Sequence, residues 1–167
     1  MKKIKKTLTS SGEIKTVNEG TYTTTGNGSP TIYSTADITV SDATLVAKAS
    51  EGVVIEGANS VTLNNCDLTD SNTKLNGQST TYKNIFLYQS MSGDASNGTA
   101  TFTAKDSNIT TNNGDNTAKS ITLKLDSSSK IKLTGDSYVS SLEDSDSSYS
   151  NIDFNGYKLY VNGIAIN

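Results

Sequence analysis

The stretch ITVSDATLVAKASEGVVIEGANSVTL, residues 38–63, carries the repeat on which the fold turns. It opens on Ile38-Thr39-Val40 and closes on Val61-Thr62-Leu63, the same apolar–threonine–apolar triplet. In an extended chain successive side chains point to opposite faces, so each triplet sends two apolar groups one way and its threonine the other. Between the triplets lie two further strand candidates, Ala43 to Ala47 and Val53-Val54-Ile55. Three short strands therefore pass before the pattern returns.

Outward from this stretch, related triplets stand at Ala100-Thr101-Phe102, Ile121-Thr122-Leu123 and Ile152-Asp153-Phe154, and an earlier unit runs from Ile14 to Tyr33. Starts at residues 14, 38, 61, 100, 121 and 152 give steps of 24, 23, 39, 21 and 31 residues. A period in the low twenties, interrupted by insertions, is the signature of a solenoid. Second strands are expected at Cys66 to Thr69, Ser107 to Thr110, Lys130 to Leu133 and Lys158 to Val161. Third strands are expected at Ile85 to Tyr88, Tyr138 to Leu142 and Ile164 to Ile166. No apolar third strand is visible over 111–119, which leaves open whether that coil is complete. The extra residues fall into two insertions, Asp70 to Asn84 and Ser90 to Gly98.

The reading is all-β: a right-handed, single-stranded parallel β-helix of about six coils of three short strands. Residues 1–12 form a basic, polar N-terminal tail and residues 13–167 a single domain. Asn155-Gly156 and Asn162-Gly163 are hairpin-turn signals, so Asn151 to Asn167 is expected to cap the end as a hairpin or partial coil. A jelly roll or sandwich would need two-residue hairpin loops throughout, and few occur elsewhere in the chain.

Composition agrees. Only 33% of the residues are apolar, while Ser, Thr and Asn together supply 65 of 167. Threonine suits pleated strands, and Asn and Ser suit tight turns. A disordered chain would carry more charge and proline than the 19% charged residues and single proline, Pro30, found here.

What is missing restricts function. All 14 basic residues are lysine, and there is no Arg, His or Trp. That removes the commonest general base at neutral pH, the imidazole metal ligand and the bidentate guanidinium clamp. A net charge of −3 opposes nucleic-acid binding, which rewards dense positive charge. The one basic cluster, Lys2, Lys3, Lys5 and Lys6, reads as a solvated tail. The basic start lacks the apolar run of a signal peptide, and no stretch is long enough to span a membrane. The single cysteine, Cys66, excludes an intrachain disulfide and reads as a buried thiol.

Candidate chemistry sits in the turns. Asp67 with Asp70, and Asp144 with Asp146, are carboxylate pairs of the kind glycoside hydrolysis needs, but neither lies in a motif, and they read as solvated turn residues. Asn112 to Asn116 and Glu143 to Asp146 offer oxygen ligands without the spacing of a calcium loop; no metal or cofactor is expected. Sugar binding combines aromatic faces with amides and carboxylates. Tyr82, Asn84, Tyr88, Gln89 and Asp94 are the leading carbohydrate-binding candidates, with Tyr149, Tyr157 and Tyr160 as a second patch. Thr39, Thr62, Thr101 and Thr122, stacked in register, would form an exposed threonine column about 4.8 Å from coil to coil. Such a column suggests ice binding as a minor alternative.

The residues Ile38 to Asp70, Ile85 to Ser90, Ser92 to Ala95 and Ala100 to Thr103 resemble the pectin-lyase-like right-handed parallel β-helices of bacterial surface proteins. More narrowly, they resemble the carbohydrate-binding-domain-containing and adhesin-type solenoid proteins, and the ending Ile152 to Gly163 is similar to the last coils of adhesin-type solenoids. The resemblance covers about residues 13–167. It implies a secreted or cell-surface module that contacts glycans. The expected function is thus non-enzymatic glycan binding or adhesion, with an extracellular location, no nucleic-acid partner and no membrane span. Alternatives are a structural solenoid that associates end to end with its own kind, and a polysaccharide lyase- or hydrolase-like or degenerate enzyme.

Overall fold

The computed structural model describes residues 3–4, 8–10, 15–26, 28–70, 87–90, 95–111, 116–117 and 121–167. Among them there is no helix; every regular element is a strand. The strands stack in parallel into a β-solenoid of about five turns, six strand levels joined by five rises on the best-populated face.

That first face stacks Lys15–Thr24, Ile38–Ala47, Ser60–Asn64, Ala100–Lys105, Ile121–Leu125 and Ser141–Asp144. Val61 lies between Ile38 and Phe102, parallel to both, with Leu123 and Leu142 continuing the inward column. The second face begins within the two long strands and continues through Asp67–Asp70, Asn108–Thr110, Lys130–Lys132 and Ile152–Asp153. Its inward column is Tyr22, Leu45, Leu68, Ile109, Ile131 and Ile152. The third face is two short sheets. Leu8–Ser10, Ile32–Ser34, Val53–Glu56 and Leu87–Ser90 form one, and Asn116–Thr117, Ser137–Val139, Leu159–Val161 and Ile164–Ala165 the other.

These columns are the core. Ile32, Val40, Leu45, Ile55, Val61, Leu63, Phe102 and Ile121 have no exposed surface. Each such side chain contributes roughly 1.5–3 kcal/mol by leaving water, and no coil buries its inner face without its neighbours.

The corner between the first two faces is turned by one residue in the left-handed region: Glu19 (φ 62), Asp42 (φ 56), Asn65 (φ 49) and Asp106 (φ 47). Asp and Asn occupy that region more readily than other side-chain-bearing residues. Polar side chains at this corner also tie successive coils: Asn65 Nδ2 donates to Asp42 Oδ1 at 2.7 Å, and the Asp126 carboxylate accepts from the Asp106 N–H at 3.0 Å.

Several assignments made from sequence shift, among them Lys158 to Val161, expected as a second strand and found as Leu159–Val161 on the third face. Ile152 opens no coil: it pairs with Ile131 on the second face, and Ser141–Asp144 takes the next level of the first face. Tyr138 to Leu142 is accordingly two elements, Ser137–Val139 on the third face and the start of Ser141–Asp144 on the first. The coil whose completeness the sequence left open has a third strand, Asn116–Thr117, paired with Ser137 and Tyr138; with Asn and Thr in it, the apolar pattern could not announce it. Within the stretch read as a tail, Lys3–Ile4 pairs with Thr21 and Tyr22, and Leu8–Ser10 with Ile32–Ser34.

The end is closed as expected. Asn162 (φ 48) and Gly163 (φ 80) both have positive φ, the signature of a type I′ hairpin, and Ile164–Ala165 returns antiparallel to Leu159–Val161. Tyr149, Phe154, Val161 and Ile166 pack against the core at this end. Asn167 fastens the return: its Oδ1 accepts from the Leu159 N–H at 3.0 Å and its Nδ2 donates to the Tyr157 carbonyl at 2.8 Å.

Candidate functional site

On the first face the outward side chains form columns. The register divides the four threonines between two of them. Thr39 lies beside Thr62, and Thr62 beside Thr103; Thr101 lies beside Ser60 and Thr122, and Thr122 beside Ser141. The single column expected from the triplets becomes a double one because Val61 pairs with Phe102 and not with Ala100, a slip of two residues. A two-residue slip keeps inward residues inward, so the sequence pattern tolerates it silently. Thr39, Thr62, Thr101, Thr103 and Thr122 are half-buried, and their hydroxyls bond to no other described residue.

The margins of this array are tied down. Asp37 accepts from both the N–H and the hydroxyl of Ser60 at 2.8 Å. Lys124 pairs with Glu143 at 2.8 Å across the strands. Between Thr103 and Ser145 an open hollow of about 320 Å³ is lined by Lys105, Lys124, Asp126, Glu143 and Asp144 among others.

On the outer side of the third face, Tyr138 and Tyr160 stack with ring centroids 4.5 Å apart and planes 5° from parallel. Ser137 and Val139 point inward, which turns Tyr138 outward; register then sets Tyr160 beside it. On its far side Tyr160 pairs with Ala165, whose small side chain leaves room near the ring. Tyr157 (38% exposed) and Ile164 (71%) are the large apolar residues most open to solvent at this end. Tyr33 takes the equivalent outward position on the earlier coils and donates to Glu56 Oε1.

The leading sugar-binding candidates Tyr82, Asn84 and Asp94 lie outside the described residues. Tyr88 and Gln89 are described as strand positions only, in register with Val54 and Ile55. The second patch is regrouped. Tyr160 gains Tyr138, which nothing in the residue pattern singles out, while Tyr149 packs against the core at the capped end. An outward tyrosine one coil's worth of sequence from another becomes readable as its neighbour only once the register is known.

Asp67 and Asp70, read as solvated turn residues, lie on a strand, Asp67 exposed and Asp70 fully buried; the carboxylates of the last coils serve turns. Asp146 accepts from the N–H and hydroxyl of both Ser148 and Ser150, and these bonds, Ser148's hydroxyl first, hold its pKa down to about 2. Asp144 Oδ1 accepts from the Asp146 N–H and from Asn151 Nδ2, both at 2.9 Å. Burial, the largest single influence on Asp126, raises its pKa, but bonds from Ser129, the Asp106 N–H and Ser128 together outweigh it and lower the result. Among the described residues no group of three or more Cys, Asp or Glu is arranged to hold a metal. Of the other calcium candidate, residues 112–115 lie outside the described part. Cys66 is 2% exposed, and burial pushes its thiol pKa up despite bonds to the backbone of Ala43 and Asn64.

The arrangement defines a parallel β-solenoid with two outward polar surfaces, one of hydroxyls and one of stacked tyrosines. No helix among the described residues is long and apolar enough to cross a membrane. Compared with family models, characterised proteins and solved structures, the chain matches none.

Proposed function

We propose that the protein is a non-enzymatic glycan-binding module of the pectin-lyase-like, adhesin-type kind, acting outside the cell. The observation that carries this reading is the outward Tyr138–Tyr160 stack. Aromatic rings present a flat apolar face to the C–H side of a sugar while the phenol hydroxyl bonds at its rim. Tyrosines held on a rigid scaffold lose little freedom on binding. With no His or Arg in the chain and its turn carboxylates occupied by backbone and serine donors, binding is a better use of this surface than bond cleavage.

Affinity electrophoresis through gels containing soluble polysaccharides tests it. The protein should be retarded by at least one polymer. Tyr138→Ala and Tyr160→Ala should abolish the retardation while leaving the thermal midpoint within a few degrees. Unretarded migration through every polymer, or retardation indifferent to both changes, refutes the reading. Release of reducing ends or unsaturated products from any polymer would favour the enzyme alternative.

A further inference from the structure

The tyrosine pair does not use the double column of hydroxyls on the first face, and we infer that this face is a second binding surface, for the ordered surface of an insoluble, neutral polysaccharide. Five threonine hydroxyls, of Thr39, Thr62, Thr101, Thr103 and Thr122, stand on the outer side with no bond to any other described residue. Each hydroxyl can donate and accept. Their spacing is set by the backbone: about 4.8 Å from coil to coil and about 6.6 Å between alternate residues of one strand. Because the coils are held by continuous parallel pairing, the array is ordered before any ligand arrives, which removes an ordering cost from binding.

Charge selects the ligand. The centre of the array carries none. The charged side chains stand at its margins: Asp37, bonded by Ser60, Asp42, bonded by Asn65, the Lys124–Glu143 pair, and Lys105, two residues beyond Thr103. A charged polymer laid along the centre therefore finds no counter-charge beneath it, since both signs are confined to the margins. Asn64, held against Ser41 at 3.3 Å, adds an amide beside the hydroxyls. A mixture of amide and hydroxyl groups matches sugar hydroxyls, which act as both donor and acceptor, better than it matches the uniform lattice of ice. A single flexible chain would have to be ordered on binding; a chain already fixed in a solid would not.

The test is co-sedimentation with microcrystalline cellulose and with chitin, using the full chain and two sets of variants. Thr62→Lys and Thr101→Lys place a charge in the middle of the array at half-exposed strand positions, and circular dichroism melts report whether the fold survives. Thr62→Ser, which keeps the hydroxyl, is the conservative control. The expected result is retention of the protein on at least one solid, weakened about tenfold or more by either lysine, as for loss of one or two hydrogen bonds, and kept by Thr62→Ser. Tyr160→Ala should leave it unchanged. Absence of retention on both solids overturns the inference. So does retention that ignores the lysine variants, or retention lost with Tyr160→Ala alone, which would assign all binding to the tyrosine surface. Inhibition of ice recrystallisation without retention on either solid also overturns it. Threonine-dependent retention with no retardation in soluble-polymer gels would uphold this surface and remove the tyrosine one.

Discussion

The Cys66 N–H donates to Ser107 Oγ at 3.1 Å, and Ser107 stands where Cys66 stands, one coil along. The equivalence extends to the side chains. Cys66 Sγ donates to the Asn64 carbonyl, two residues back, at 3.2 Å, and Ser107 Oγ donates to the Lys105 carbonyl, also two residues back, at 2.8 Å. The next member, Ser129, accepts from the Ser107 N–H at 3.1 Å. A ladder of small polar side chains thus runs up the inside of one corner.

Cys66→Ser should therefore cost no more than about 1 kcal/mol, since the new hydroxyl meets a carbonyl already placed for it. Ser107→Ala should cost about 1–3 kcal/mol, because it leaves the buried Cys66 N–H without an acceptor. Urea denaturation of the two variants checks the order. In the folded protein the thiol should resist alkylating reagents at neutral pH, because burial disfavours the thiolate, and react fully once unfolded.

Phe102 sits at the point where the longest step between coils is bridged, between Val61 and Leu123 and fully buried. Phe102→Ala should destabilise by about 3–5 kcal/mol, the usual loss for a buried aromatic. Thr103→Ala, on the opposite side of the same strand, should shift stability by less than about 0.5 kcal/mol. Equal losses in chemical denaturation would contradict the inward and outward assignment.

Much of this was legible in advance. The triplets Ile38-Thr39-Val40 and Val61-Thr62-Leu63 gave the period and the inward face, since hydrophobic alternation is what the backbone itself reads. Asn162-Gly163 foretold the closing hairpin, because only a few residues accept its dihedral angles. The pattern could not reveal the slip that pairs Val61 with Phe102, as any even shift preserves alternation. Nor could it reveal Asn116–Thr117, a two-residue strand with no apolar residue in it. The Tyr138–Tyr160 stack depends on register, and so stayed hidden with it.

The Asp146 carboxylate should titrate near pH 2, well under the ordinary value of 3.8, in an NMR pH series. The sign for stability follows. A group whose pKa is depressed on folding stabilises the fold above its unfolded pKa, and that contribution disappears as pH falls through the folded value. The difference in thermal midpoint between the protein and Asp146→Ala should hold constant above about pH 5 and close between about pH 4 and pH 2. A difference that widens on acidification would show that the serine bonds do not favour the charged form.

Gly57 has φ 65, and a Cβ there would lie 2.3 Å from the Ser96 carbonyl oxygen. Gly57→Ala should cost at least about 1–2 kcal/mol from the dihedral alone, with the collision added. The Ala58 N–H, which donates to that same carbonyl at 2.9 Å, should then exchange with solvent faster than in the parent. Unchanged exchange at Ala58 would mean that the segment around Ser96 is not seated as described.

The stretch from Ile38 to Ser60 leaves the winding at the register position where it entered: Ile38 pairs with Val61, and Leu45 with Leu68, at one common offset. It is therefore an interchangeable cassette. A second copy spliced in behind the first would raise the tower by a single storey. It would add two threonines to the outer wall, copies of Thr39 and Thr44, and would leave the corners above and below undisturbed. Length in this architecture is an adjustable dial, set by how many cassettes the gene carries.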